Sequence, residues 1–412
     1  MLLGWYMVVA ALLIHAYHSG TIGYGFTAFI APIAATFGWN YAQISLGLSL
    51  RGLEEGTLDP FVGMAADHWP ARRLMLIGVI TYGLGLVCIS QATNLAMYYI
   101  GFVIIGLGHS LAMSMVPQTM IAKWFKNNLG KAAAVLSMGG PIGAIFVPIV
   151  VKMIDAYSWQ TTLLIFAVGI WLIGIPLSFV FRPKLEDHGF TSDGKLQDDI
   201  KGRNSSESYD SSISVKEALR TRAFWQIGIA FMLQVGPIHA VTTHVMPYLS
   251  SLGVERSTAS MVAMFIPLVS LTARIPFGWL ADIFNKKYVV AVSMGLTSAG
   301  LFLFWLLDGS SFMLIGAFVV FFGLGLAGLG PLKTPVIREY FGTKNFGMIY
   351  GLIRTFSMIG LVVYPPVAGW VYDTRGIYDP IWLVFCGSSM LSAILMLTAP
   401  PLRSEGGLSR VL

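Results

Sequence analysis

The sequence predicts an all-α membrane protein of about twelve spanning helices, arranged as two pseudo-symmetric six-helix bundles, and three observations carry that prediction. Of the 412 residues, 56% are hydrophobic and only 11% charged, with a mean hydropathy of +0.72; soluble domains carry roughly a quarter charged residues. The apolar stretches run to about 20 residues or more, the length a spanning helix needs, whereas barrel strands have about 10 and alternate. Two landmarks also recur at almost one offset. Gly63-Met-Ala-Ala-Asp67 and Gly278-Trp-Leu-Ala-Asp282 share a G-x-x-A-D pattern ahead of a basic pair, 282 − 67 = 215 residues apart, and Trp124-Phe125 returns as Tyr340-Phe341 after 341 − 125 = 216. A duplicated unit of this kind is the mark of a transporter with its site between the repeats near the bilayer midplane.

Turn signals and charge clusters divide the chain into spans at 4–36, 42–66, 73–92, 95–122, 130–154 and 160–181, then 222–250, 257–281, 288–307, 311–337, 345–371 and 378–399. Residues 1–181 form the first bundle and 222–412 the second, which ends in a short tail. Between them 182–221 is polar, rich in Ser and Asp and mixed in charge, as a solvated linker is. The chain enters an apolar run at once (Leu2-Leu3-Gly4-Trp5-Tyr6-Met7), without a preceding basic region, so this stretch is expected to be the first span, retained.

The net charge of +6 and pI near 9.2 do not call for nucleic acid. Basic residues gather in one set of loops: Arg72 and Arg73, Lys123 and Lys126, Lys286 and Lys287, Arg338 and Lys344, and the linker. Lys152, Arg256 and Arg375 are the main ones on the other side. Both termini and the linker are therefore expected to be cytoplasmic, in a plasma or inner membrane. Cys88 and Cys386 are far apart inside apolar runs, which suggests neither a disulfide nor a metal motif.

Charges inside the spans are the informative residues, because an ionisable group at membrane depth marks a substrate or ion path by default. Arg274 precedes Asp282 by eight residues, about 12 Å along a helix. Its planar fork can hold a carboxylate while staying charged; a structural ion pair is the bland alternative. Arg354 lies nine residues past Asn345, about 13 Å deep, and could face the same cavity or pair with an acid. In the second span Arg51, Glu55 and Asp59 recur every four residues and form one helical stripe, with Glu54 beside it. The offset of 215 maps Asp59 onto Arg274. Either a desolvated Glu or Asp among them takes the coupling proton when substrate displaces its arginine partner, or the four neutralise each other and latch the two halves in one state. Five histidines fall in spans (His15, His18, His109, His239 and His244), and His18 and His239 are the leading candidates among them. Tyr17, Tyr24, Gln118, Gln234, Thr242 and Thr243 could orient a small polar substrate. Lys333 sits towards the cytoplasmic end of the tenth span, where it guides anions or snorkels. The runs Gly139-Gly140-Pro141-Ile-Gly143 and Gly323-Leu-Gly325-Leu-Ala-Gly328-Leu-Gly330 lack a phosphate-loop pattern and read as close helix packing.

With the paired G-x-x-x-D motifs, the basic pairs and the 6+6 layout, the chain resembles the major facilitator superfamily. Three features are similar to its branch of monocarboxylate-transporter-like and oxalate:formate-exchanger-like proteins. They are Gly4-Trp5-Tyr6-Met7-Val8-Val9, Trp124-Phe125 with Gly130 and Ala132, and Arg274-x-Pro276-x-Gly278-x-x-x-Asp282. The resemblance implies that Arg274 binds a carboxylate and that the first, fourth and seventh spans line the central cavity. It puts a second cation of the exchanger near Ser357, about a turn from Arg354. His68, Ile283 and Asn285 depart from the common gating-loop pattern, whose residues here would be Asp67, Arg72, Arg73, Asp282, Lys286 and Lys287.

The function expected is secondary transport of a small mono- or dicarboxylate by alternating access. Proton symport comes first, exchange of one carboxylate for another second, and export of drugs or cations, or ligand sensing without transport, behind them. The substrate-binding candidates are Arg274, Arg354, Tyr24, His18, His239 and Gln118; Asp59, Glu54, Glu55 and Arg51 are the coupling or gating candidates. No enzyme motif occurs in the spans, and no cofactor, metal or nucleic acid is expected. The partners are the substrate, a proton in the symport reading, and the lipid bilayer, with the monomer as the working unit.

Overall fold

The structure is a computed structural model and describes residues 2–58, 61–62, 65, 69–125, 129–181, 214–342 and 346–400. The first span consists of α1 (Leu2–His18), a π turn (Ser19–Gly23), a 3-10 turn (Gly25–Ala28) and α2 (Ile30–Phe37), with a bend of 56° before α2. Then follow α3 (Tyr41–Thr57), α4 (Ala71–Ser90), α5 (Leu95–His109) with a π turn (Ser110–Ser114) and α6 (Met115–Trp124), α7 (Leu129–Gly143) with α8 (Val147–Tyr157), and α9 (Trp159–Ser178). A short α10 (Val215–Arg220) leads into α11 (Arg222–Ser251), α12 (Arg256–Ile283), α13 (Lys286–Trp305), the bent pair α14 (Phe312–Ala327) and α15 (Leu329–Phe341), α16 (Phe346–Arg375) and α17 (Asp379–Thr398). Among the described residues 9 helices are long and apolar enough to cross a membrane, or up to 11 spans if each of two bent pairs counts as one. The short one is α3, with 17 residues that include Arg51, Glu54 and Glu55.

Helix boundaries follow local chemistry. Asn94, Ser158, Thr221, Asn285 and Ser311 each accept a backbone N–H in the first turn of α5, α9, α11, α13 and α14. These side chains satisfy donors that a helix start leaves unpaired. Large apolar side chains such as Leu172 and Met313 stay exposed on the outside, as a lipid-facing surface requires.

The helix pairs repeat between the halves. In the first, α1 packs on α7, α4 on α5 and α9, and α3 on α5; in the second, α11 packs on α16, α13 on α14 and α17, and α12 on α14. The glycine runs make the first of these pairings possible. A Cβ on Gly143 would stand 2.2 Å from the Ala16 carbonyl, and one on Gly20 would stand 2.4 Å from the Gly143 carbonyl. In the second glycine run, a Cβ on Gly325 would meet Thr297 and one on Gly328 would meet Ser293. Small residues thus let backbones approach where lipid offers no hydrophobic drive between helices.

The two halves meet through α3 with α16 and through α7 and α8 with α12. Their apolar core is continuous across the face opposite the chain termini, the distal face: Phe26, Ile33 and Ile44 of the first half cluster with Ile238, Val245, Leu249, Ile266 and Trp382. Towards the face that carries the termini, the terminal face, the second half has a core of its own, with Phe224, Phe231, Ala273, Phe277, Leu332 and Ile353. The distal side is packed shut, and the cores separate towards the terminal side.

Candidate functional site

Arg274 lies on α12, nine residues before Ile283 and so about 13 Å from the terminal end of the helix. Pro267 and Pro276 interrupt the ladder of α12 around it, a break that membrane helices tolerate where neighbours satisfy the freed groups. Its Nη1 donates to the backbone carbonyl of Ser137 on α7, 3.1 Å away. Its Nε is buried without a hydrogen-bond partner. Tyr24, at the junction of the π turn and the 3-10 turn in the first span, is near enough to interact electrostatically. A guanidinium has five donors, and no carboxylate among the described residues pairs with this one. Two predicted site residues from different halves, Arg274 and Tyr24, therefore come together, and one donor of the guanidinium, Nε, is without a partner.

Arg354 lies half-buried on α16, close in its electrostatic effect to Lys333 of α15. The Lys333 ammonium donates to Ser357 Oγ at 2.8 Å and lies 5.1 Å and 5.7 Å from the ring centroids of Phe231 and Tyr350. Lys333 does not snorkel. The sequence places it towards the cytoplasmic end of the tenth span, guiding anions or snorkelling. The count applied to the arginines gives its depth: Lys333 precedes Phe341 by eight residues, and Arg354 follows Phe346 by eight.

His18 is buried in the first half with both ring nitrogens engaged. Nδ1 and the Tyr82 hydroxyl are 2.8 Å apart, and Arg51 Nη1 is 3.1 Å from Nε2. Because arginine can only donate, Nε2 accepts and Nδ1 carries the proton. The His109 ring lies 4.4 Å away. His18 and His109 each directly precede a π turn, a rare backbone form that collects at functional sites.

The remaining candidates divide. His239 is half-buried on α11, its carbonyl accepting from Thr242 and Thr243. Gln118 is exposed on α6. Gln234 ties helices together, donating to Thr297 at 2.7 Å and accepting from Ser389 at 2.8 Å. Arg72 stacks on Phe179, Arg73 is exposed, Lys286 pairs with Glu339 at 2.9 Å, and Lys287 donates to the Ala399 carbonyl. Asp59 and Asp67, and the side chains of Glu54, Glu55 and Asp282, lie outside the described residues.

The distal closure has a polar latch that the sequence did not reveal. Asp373 at the end of α16 accepts the Tyr41 and Ala42 N–H groups at 3.0 and 2.9 Å, capping α3 of the other half. Arg256 pairs with Asp155 at 3.2 Å and donates to the Ala28 carbonyl. Met246 N donates to Thr27, and His244 bridges Ser45, Pro365 and Tyr378.

Residues 11–267 and 239–410 match the family described as the Major Facilitator Superfamily. Among curated relatives, monocarboxylate transporter 12 of Xenopus laevis is 25% identical, covering 89% of this chain and 82% of the relative. Monocarboxylate transporter 4 of Rattus norvegicus is 24% identical over 96% and 82%. Among solved structures, a nucleoside transporter NupG variant superposes with a TM-score of 0.74 at 14% identity, covering 96% of this chain and 99% of that one. A bacterial homologue of the human lysosomal transporter Spinster, in an inward-facing conformation, gives 0.66 at 16% identity, covering 96% and 95%.

Proposed function

The chain belongs to the major facilitator superfamily, membrane transporters rather than enzymes, and from that premise we propose that this multi-pass membrane protein moves a small organic anion by alternating access. One observation carries the reading. Arg274 holds a charge about 13 Å inside the second half, keeps a buried Nε without a partner, donates to a backbone carbonyl of the first half and pairs with no carboxylate among the described residues. Isolated charge at that depth is costly, and a substrate carboxylate supplies the missing counter-charge through a forked, charge-assisted hydrogen bond. The names of the relatives support the same substrate class.

Proton symport is the mechanism we favour. His18 Nε2 accepts from Arg51, so a proton arriving there displaces that bond; Tyr82, His109, His15 and Arg51 surround the ring. Asp59, Glu54 and Glu55 are the other proposed proton carriers. Both termini and residues 182–221 are assigned to the cytoplasm by the distribution of basic residues. The test is uptake of labelled lactate, formate and oxalate into proteoliposomes with and without an inward proton gradient, recording internal pH. Acidification that tracks uptake is expected; uptake that requires preloaded carboxylate and ignores the gradient would replace symport by exchange.

Alternating access requires the distal latch to open. A hydrogen bond to a charged group contributes about 1.5–3 kcal/mol, and exposed ion pairs about 0–1 kcal/mol. Asp373→Ala combined with Arg256→Ala is therefore expected to raise the distally open population at least about tenfold. Spin labels at the exposed distal positions Ala35 and Ile377 read this by electron–electron resonance as a growing longer-distance component. An unchanged distance distribution would show that these contacts do not hold the face shut.

A further inference from the structure

We propose that Pro141 is a positioning residue of the site: it makes the Ser137 carbonyl an anchor for Arg274 and so orients the guanidinium before substrate arrives, a role that rests on the reading of Arg274 given above. In an α-helix the carbonyl of one residue accepts the N–H of the residue four places on. For Ser137 that residue is Pro141, inside α7. Proline has no N–H, and its ring presses on the carbonyl four residues back. Both effects make the Ser137 oxygen available outside the ladder of α7, and Arg274 Nη1 of the opposite half donates to it at 3.1 Å.

The same arrangement recurs where α12 meets the first half nearer the distal face. Arg256 Nη2 donates at 3.2 Å to the carbonyl of Ala28, and Ala28 stands four residues before Pro32 of α2. Within the second half, Ser388 of α17 donates at 3.2 Å to the carbonyl of Leu233, four residues before Pro237 inside α11. These three side-chain donors stand in for the N–H groups that proline lacks, as backbone at membrane depth requires. Ser137 differs from Ala28 in what its donor does next. Arg256 is also engaged by Asp155, whereas Arg274 has a buried Nε without a partner.

The anchor is held in one frame with the rest of the site. One turn beyond Ser137, the Gly140 carbonyl accepts from Ser19 Oγ of the first span at 2.8 Å, and the Ser19 carbonyl accepts the Tyr24 N–H at 2.6 Å. Arginine is rich in rotamers, and ordering such a side chain opposes binding. A guanidinium already seated on a backbone carbonyl presents its fork in a set orientation, so a carboxylate binds it without that loss.

The experiment measures KM and maximal rate for uptake of formate, lactate and oxalate into proteoliposomes. Pro141→Ala gives the Ser137 carbonyl an N–H again; lactic acid built in at position 141, the ester counterpart of alanine, has neither ring nor N–H. Because the net worth of one hydrogen bond is at stake, Pro141→Ala is expected to raise KM about fivefold with the maximal rate changed less than about twofold, and the ester to return KM to within about twofold of wild type. KM is read on active protein, so a loss of folded material does not move it. The ester also weakens the Gly140 carbonyl as an acceptor for Ser19, and Ser19→Ala measures that contribution on its own. In an Arg274→Gln background Pro141→Ala is expected to add nothing, since orientation no longer matters once the charge is gone. An unchanged KM in Pro141→Ala would overturn the proposal. So would an ester as impaired as Pro141→Ala, which would trace the effect to the ring and the bend, and so would a loss that persists in full beside Arg274→Gln. Each of these results, with uptake still dependent on Arg274, leaves the Arg274 reading intact. Wild-type KM in Arg274→Gln removes that reading and the role of Pro141 with it.

Discussion

Arg274→Gln is expected to lower carboxylate uptake at subsaturating substrate about 100-fold. Truncating one member of a buried, hydrogen-bonded charge pair costs about 2–5 kcal/mol, and each 1.4 kcal/mol is tenfold. The amide keeps a donor for the Ser137 carbonyl but removes the charge that a carboxylate meets. Arg274→Lys separates charge from shape: it keeps the cation and loses the planar fork, and a fall of about tenfold is expected. Initial rates on matched amounts of reconstituted protein check both. Wild-type affinity in Arg274→Gln would remove the arginine from the site.

Gly143→Val is expected to destabilise the protein by about 3 kcal/mol or more, at the upper end of overpacking costs. The first side-chain atom alone would stand 2.2 Å from the Ala16 carbonyl and 2.8 Å from Gly20 N, both backbone, so α1 has no side chain to move aside. The damage reaches the site, because the displaced stretch of α1 runs through the π turn to Tyr24. Gly140→Ala is the control. Its added atom finds nothing nearer than 3.8 Å, and a change of less than about 0.5 kcal/mol is expected. Thermal unfolding of the purified variants in detergent measures both, and equal stability of the two would refute the packing role given to Gly143.

The legible and the hidden parts of this molecule differ in physical origin. Spans were readable because a run of apolar residues at membrane depth has few solutions other than a helix, and the repeat offset could be counted directly. Arg274 was readable for the same reason, since its cost is visible without any neighbour. The glycine runs declared close packing, and Gly20 against Gly143 is such a contact. Partners across the bundle interface were not readable. Nothing in the spacing of Asp373 announces that it caps a helix 332 residues away in sequence, nor does Gly330-Pro331 announce that the bend beyond it carries Lys333 to Ser357. His18 stands out in the sequence for its titration range, but its bonds to Tyr82 and Arg51 depend on how three helices meet.

The most direct measurement is counterflow into proteoliposomes of the unmodified protein, preloaded in turn with carboxylates, neutral solutes and organic cations, with no proton gradient imposed. Trans-stimulation of labelled carboxylate uptake by preloaded carboxylates and by neither of the other classes is the expected result. Trans-stimulation by cations or neutral solutes, or counterflow of carboxylates that persists undiminished in Arg274→Gln, would contradict an anion transporter built around Arg274.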